Sequence, residues 1–514
     1  MQSANRVVVN IGFLYGKMLI TMLISLYSTR LILNALGAID YGIFNLVGGV
    51  IAMLSFLNGA MTVSTQRFLS YNIGCGATEK LKGIFSSSVI LHFIIGFFIV
   101  LILEIAGIYL FNGILNIPPE RVNTAKIVFH FMVVSTFFTI NAVPYDAAIN
   151  AHENFLFDAL AGIFESLVKL GIAIWLVYTM IDKLVLYGLL IAGLTILIRI
   201  IKSIYCFKKY DECRFSWKSN INIGLLKELF SFAGWNLFGS LCTVIRNQGL
   251  AIVLNLFLGV LVNAAYGIAN QVNGILSSFS ANMNKALNPQ IMKSEGSGDR
   301  DKMLFLAMLA CKLSFFLFAF FAIPLIIEMP FILRLWLSKI PDNTIIFCQL
   351  FLVVSLIQQL TVGLMSAIQS VGKIKVYQTV MGSMIILNLP LAIGLLKFGF
   401  PAYSVLLGVI LIECIAGITR IWFAQKLVNL PGKIFLRKIV FNSLISISLA
   451  TLTALIPSLL LEEGILRTSL TIFISILSIT LFGKYIAMTS AENQKIKEFT
   501  FALFKDIHKA HIVK

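Results

Sequence analysis

Apolar runs of about twenty residues or more recur from one end of the chain to the other, each closed by a short polar break. A helix needs about twenty predominantly apolar residues to cross the hydrocarbon of a bilayer. Fourteen runs meet that length: Ile11–Leu36, Tyr41–Phe68, Gly83–Leu110, Val122–Ile149, Phe155–Thr179, Leu184–Phe207, Leu225–Leu258, Val262–Leu287, Met303–Ile327, Thr344–Val371, Val376–Leu396, Ala402–Leu427, Phe435–Leu460 and Ile465–Ala487. No stretch alternates apolar and polar positions as a membrane barrel strand does, and backbone in lipid must satisfy its own hydrogen bonds. The pattern therefore predicts an all-α polytopic membrane protein of about fourteen transmembrane helices. Met1 to Asn10 carries no cleavage pattern, and the first run is too long for a signal-peptide core, so it reads as an uncleaved first span.

Landmarks in the first half return in the second at a nearly constant offset. Tyr41-Gly42-Ile43 matches Tyr266-Gly267-Ile268 at 225, Glu79-Lys80-Leu81-Lys82 matches Asp299-Arg300-Asp301-Lys302 at 220, and Glu104 matches Glu328 at 224. Pro119-Glu120 matches Pro341-Asp342 at 222, and Ala148-Ile149-Asn150 matches Ala367-Ile368-Gln369 at 219. The offset equals six spans, an even number, so the two copies run in the same direction. Such a parallel repeat is expected to place its pseudo-twofold axis along the membrane normal and a transport path between its halves. The organisation expected is a six-helix bundle over 1–210, a cytoplasmic linker over 211–224, a second six-helix bundle over 225–428, and two extra helices with a basic tail over 429–514.

Composition supports the membrane reading. Only 12% of the 514 residues are charged and 59% are hydrophobic, with mean hydropathy +0.93. The net charge of +17 raises the question of nucleic acid. With the N-terminus inside, 26 of the 40 Lys and Arg fall in segments on the inner side and 6 on the outer side. That is the bias of cytoplasmic loops, so the charge predicts both termini in the cytoplasm and no nucleic-acid partner. The seven cysteines form no CxxC and support neither a disulfide framework nor a zinc site.

Ionisable residues inside the runs are the candidate chemistry, because such groups are costly in lipid and usually face protein or water. Lys17 and Arg30 lie in the first span, Arg246 in the seventh and Lys312 in the ninth. Glu165 and Lys169 stand four apart on the fifth span, hence on one helix face. They are either a self-neutralised pair or a carboxylate whose proton or cation occupancy changes. Asp146, after Pro144, is a gate ion pair or a wet helix end. Glu413 and Arg420, seven apart, read as packing between helices. There is no GxxxxGK[ST], HExxH or GxSxG, so no catalytic residue, metal site or ATP site is expected and the chain does not read as an enzyme.

The stretch Thr29 to Phe44 places Arg30 in an apolar run and follows it with the turn Leu36-Gly37-x-x-Asp40-Tyr41-Gly42-Ile43-Phe44; a relative spans Leu254 to Ile268, with Gly259 and Gly267. Gly37, Gly42, Gly259 and Gly267 are thus expected to form turns at the rim of the two copies. This turn, Ile332-Leu333-Arg334-Leu335-Trp336-Leu337, Ala367-Ile368-Gln369-Ser370-Val371-Gly372-Lys373 and the six-plus-six arrangement resemble the polysaccharide exporters of the multidrug/oligosaccharidyl-lipid/polysaccharide (MOP) flippase superfamily. The resemblance covers nearly the whole chain.

It implies MATE-like V-shaped bundles around a central cavity that works by alternating access. The branch most resembled, the Wzx-type flippase, moves undecaprenyl-diphosphate-linked O-antigen or capsule units to the outer leaflet for surface polysaccharide biosynthesis, with polysaccharide-assembly proteins and membrane lipid as partners. By location, Lys17, Arg30, Arg246 and Lys312 would line its cationic cavity, and Glu165, Lys169 and Asp146 would couple or gate it. A diphosphate calls for fixed positive partners, and arginine offers a bidentate fork. No cofactor is implied beyond H+ or Na+ as coupling ion. The competing reading is a MATE-type cation-coupled drug or metabolite antiporter, which would favour acidic residues. A membrane glycosyltransferase or polymerase is disfavoured, since no outer segment exceeds about a dozen residues.

Overall fold

The computed structural model describes residues 2–488 apart from 53, 54, 116, 215–222 and 338. Most of the expected 211–224 linker and the basic tail beyond residue 488 lie outside the described residues. Within them every regular element is helical and no strand occurs. The chain divides into two compact units, Gly12–Leu237 and Met1–Ile11 with Phe238–Lys514. The division falls within the continuous helix Ile223–Leu258.

The first unit contains most of α1 (Gln2–Ala52), then α2 (Ser55–Gly74), α3 (Thr78–Tyr109), α4 (Val122–Asn141), α5 (Val143–Ala151), α6 (Phe155–Tyr178), α7 (Lys183–Lys209) and the start of α8 (Ile223–Leu258). Its core packs Val47, Val128, Phe129, Val133, Ala173 and Leu176 between α1, α4 and α6. The second unit continues with α9 (Val260–Gly296), α10 (Arg300–Trp336), α11 (Thr344–Gln359), α12 (Val362–Val371), α13 (Lys375–Ile386), α14 (Asn388–Lys397) and α15 (Ser404–Val428). It ends with α16 (Gly432–Phe435), α17 (Asn442–Ala454), α18 (Ile456–Leu460) and α19 (Ile465–Phe482).

Backbone geometry repeats from one unit to the other. Gly37 (φ 76°, ψ 169°) breaks α1 into two legs, and Gly259 (φ 82°, ψ −178°), 222 residues on, separates α8 from α9. Positive φ with ψ near 180° is open essentially to glycine alone, which fixes the residue type at both breaks. Gly42 and Gly267 lie inside the helices that follow, not in the turns. The α2–α3 and α9–α10 connections agree bond by bond at the same spacing. Cys75 N–H donates to Tyr71 O and Ala77 N–H to Asn72 O, as Ser297 does to Lys293 O and Asp299 to Ser294 O, with Gly76 and Gly298 both at positive φ. The α4–α5 break at Ala142 returns between α11 and α12, where the two helices bend by 42°. Counted in this frame Glu328 falls opposite Ala106 rather than Glu104, so the match of the two glutamates in sequence is not positional.

Eleven of the described helices are long and apolar enough to cross a membrane, or twelve with α11 and α12 taken as one bent span. The chain is a multi-pass membrane protein. The difference from fourteen has physical causes. The two legs on either side of the break at Gly37 count together as one stretch, Val9–Gly49. The amide-rich α9, with Asn263, Asn270, Gln271, Asn273, Asn282 and Asn284, is not among the eleven.

Lipid tails are as apolar as leucine, so helix association here rests on close packing and on polar contacts rather than on the hydrophobic effect. Gly363 shows the packing. A Cβ added there would sit 2.1 Å from the Ala307 carbonyl oxygen and 2.9 Å from Ala310 Cβ, so α12 and α10 touch nearly backbone to backbone. Carbonyl oxygen on a packed helix cannot give way. Gly363→Ala is expected to destabilise the second unit by about 1–3 kcal/mol, seen as a lower Tm in detergent. Gly171→Ala, in open space on α6, should leave Tm unchanged or raise it.

Polar contacts fasten α19 to α10. Glu328, fully buried, accepts from Arg467 Nη2 at 2.8 Å and Nε at 3.1 Å and from Thr471 Oγ1 at 2.8 Å. Lys312, also buried, donates from Nζ to the Ala487 carbonyl at 2.8 Å, just past the end of α19.

Candidate functional site

The densest group of charges in the first unit joins four helices at one end of it. Asp158 lies in the first turn of α6 and is 6% exposed. It accepts from Lys17 Nζ on α1 at 3.1 Å and from Lys202 Nζ on α7 at 2.9 Å. Lys202 also donates to Asp146 Oδ1 on α5 at 2.8 Å, and Arg199 Nη1, one turn back on α7, reaches Asp146 Oδ2 at 3.2 Å. The chain Lys17–Asp158–Lys202–Asp146–Arg199 thus holds three bases and two carboxylates.

Local sequence explains each placement. Pro144 opens α5 at a position where its missing N–H costs nothing, and it directs Asp146 into the first turn. Arg199 and Lys202, three apart, share a face of α7. Gly162, one turn beyond Asp158, leaves the slot that Lys17 fills: a Cβ there would lie 2.3 Å from Lys17 Cε and 2.9 Å from Nζ. Arg199 Nε is buried without a hydrogen-bond partner among the described residues, so the network carries surplus donor capacity as well as surplus positive charge. Such an arrangement suits an anionic group in a low-dielectric setting better than a cation.

A second polar cluster closes the same end. Asn154 caps α6 and donates to Tyr205 Oη at 2.5 Å and Tyr210 Oη at 3.2 Å. His152 stacks on Tyr210 with ring centroids 4.1 Å apart and bonds Glu212 through Nε2. Burial is the largest single influence on Glu212 and works against its charge, but the bond from His152, its own backbone N–H and the nearby positive charges of His152 and Lys82 together hold the carboxyl below its ordinary range. At the opposite end Arg121 donates to Asp40, just past Gly37, and to Asp182 Oδ2 at 2.6 Å. Asp182 also loses some solvation, yet the Arg121 bond and the N–H groups of Val185 and Leu184 lower its carboxyl.

The structure brings together only part of the residues singled out in the sequence. Lys17 and Asp146, expected in separate binding and gating roles, share one network. Glu165 and Lys169 pair with each other at 2.7 Å on the half-exposed face of α6. Arg30 is exposed and outside the network. Arg246, in the second unit, bonds its neighbour Asn247 at 3.1 Å, and Lys312 is committed to the Ala487 carbonyl. Glu413 and Arg420 approach to 3.7 Å, and Arg420 reaches Thr361 at the α11–α12 bend, so this pair ties α15 to the kink. Asp158, Lys202 and Arg199 are the members that sequence reasoning missed. Lys202, near the end of the sixth span, is 8% exposed.

No family model and no functionally characterised protein matches the chain in sequence. Solved structures do match. One is described as the outward-facing conformation of a multidrug resistance MATE family transporter of the MOP superfamily; at 15% identity and TM-score 0.72 it covers 84% of this chain and 96% of its own. Another is a MOP superfamily transporter from Pyrococcus furiosus whose description reports a binding pocket of reverse polarity suggesting a different function; it has 14% identity and TM-score 0.72, and covers 83% of this chain and 95% of its own. A MATE structure in the bent conformation matches at 16% identity and TM-score 0.70, covering 85% and 99%. The chain has the fold of the MATE-type transporters of the MOP superfamily.

Proposed function

We propose that the chain is a transporter working by alternating access, and that it translocates an anionic, lipid-linked substrate: undecaprenyl-diphosphate-linked oligosaccharide, moved from the cytoplasmic to the outer leaflet for surface polysaccharide assembly. The observation that carries this reading is the sign of the partly buried network among the described residues. Three bases, Lys17, Lys202 and Arg199, face two carboxylates, Asp158 and Asp146. A carrier of organic cations would need the opposite balance. The Pyrococcus furiosus relative in fold is described as having a binding pocket of reverse polarity that suggests a different function, which supports reading the sign of the charges on this scaffold. The sequence resemblance to Wzx-type exporters supplies the lipid-linked oligosaccharide, with both termini in the cytoplasm and H+ or Na+ as the coupling ion.

The test is transport by the full chain in proteoliposomes. A fluorescent undecaprenyl-diphosphate sugar in the inner leaflet should become accessible to a membrane-impermeant quencher at a rate above that of protein-free vesicles. Tetraphenylphosphonium driven by a pH or sodium gradient is the comparison substrate. Gradient-driven movement of the cation with no movement of the lipid would replace this reading with the cation-coupled antiporter.

A further inference from the structure

In the second unit α10 is covered by α17 and α19; in the first unit its repeat counterpart, α3, has no such cover among the described residues. In the frame of the repeated turns Gly76 and Gly298, Phe93, Phe97 and Leu101 of α3 correspond to Phe315, Ala319 and Ile323 of α10. The α10 residues are 2%, 0% and 4% exposed and the α3 residues 56%, 53% and 42%. Ile127 and Val134 of the adjoining α4 extend the bare face.

Lipid alone would suit a wholly apolar face. This one carries an acid and an imidazole. Glu104 Oε1 lies 3.0 Å from His130 Nδ1, with side chains 39% and 56% exposed. His130 is eight residues into α4, about 12 Å along the helix from its start. Ionisable groups within membrane spans are rare on lipid-facing surfaces and normally meet protein or one another. In the second unit the face is covered, and the cover supplies a base, Arg467, to the buried acid Glu328.

We propose that the α3–α4 face of the first unit is a docking surface for a second copy of this chain. The face presents one acid and one base side by side, so it is self-complementary. About a twofold axis, Glu104 of each copy meets His130 of the other, the reciprocal pairing of an isologous interface. The phenylalanines of α3 and the aliphatic side chains Ile127 and Val134 pack around these two polar contacts.

The reciprocity allows a test that neither folding nor the contact within one copy can imitate. Glu104→Lys sets Lys against His130 across the axis, and His130→Glu sets acid against acid. Each variant alone is expected to lose self-association, measured by energy transfer between donor- and acceptor-labelled full-length chains on dilution into lipid. The expected shift in the dilution midpoint is about three- to tenfold, the range of polar helix–helix contacts in membranes. Mixing the two variants restores complementary pairs at both contacts, and energy transfer is expected to recover. Oxidation of Leu101→Cys, with exposed Cys75 and Cys414 replaced by serine, should give a covalent dimer, whereas Trp175→Cys on α6 should not. Undiminished energy transfer in the single variants, no recovery in the mixture, or equal crosslinking at positions 101 and 175 would each overturn the proposal, leaving lipid or another protein as the occupant of this face.

Discussion

Asp158→Ala is expected to destabilise the first unit more than any other single change in its charged network. Asp158 is the only carboxylate shown bonding both lysines, Lys17 at 3.1 Å and Lys202 at 2.9 Å. Its removal leaves Lys17 without that ion pair and Lys202 with Asp146 alone. Breaking a buried ion pair from one side typically costs about 3–5 kcal/mol, because the remaining charge stays desolvated. The loss should appear as a lower Tm of the full chain in detergent and, where protein survives, as loss of lipid-linked transport. Lys17→Met, which removes a base and leaves Asp158 its bond to Lys202, should cost much less. Gly162→Ala provides an independent check: its Cβ would take the space of Lys17 Cε and should displace the ammonium from Asp158 without altering any charge. If Gly162→Ala reproduces the transport defect at near-native Tm, the Lys17–Asp158 contact acts in transport. If transport is untouched, the contact serves the fold alone.

The parts of this molecule legible in its sequence are those encoded locally. The span pattern needs only runs of apolar residues, and the breaks at Gly37 and Gly259 need only a residue that tolerates positive φ. Glu165 and Lys169 were paired correctly from a spacing of four. The network was not legible, because its bonds join residues 141, 44 and 56 positions apart across helices whose rotation about their axes the sequence does not give. Asp158 resembles an ordinary acid in a first turn, and Lys202 resembles one more base at the end of a span. The spacing of Arg199 and Lys202, three apart and apolar-flanked, was the one available signal. Lys312 is legible as a deep base in the ninth span, but its bond to the Ala487 carbonyl involves a segment outside the repeat, about which repeat logic carries no information.

Glu328→Ala is expected to release the last helices from α10. The carboxylate is fully buried and takes two bonds from Arg467, one from Thr471 and a longer one, 3.4 Å, from Thr468. Arg467 would keep only Glu463, 3.8 Å away and largely exposed, so its guanidinium would be stranded among apolar helices. A loss of about 3–5 kcal/mol follows from the uncompensated charge. The signature should be regional: amide exchange over 465–487 rises and proteolysis near residue 461 begins, while the first unit exchanges as before. Thr471→Val removes a hydroxyl donor to the same carboxylate and should cost about 1.5–3 kcal/mol, the range for a hydrogen bond to a charged group. Glu328→Leu combined with Arg467→Leu separates docking from charge. If the ion pair only neutralises itself, the apolar pair should restore protection of α19 to near wild type, as apolar replacements of buried ion pairs often do. If protection stays low, the bidentate geometry itself sets the register of α19 on α10, with Lys312 and the Ala487 carbonyl as its second fixed point.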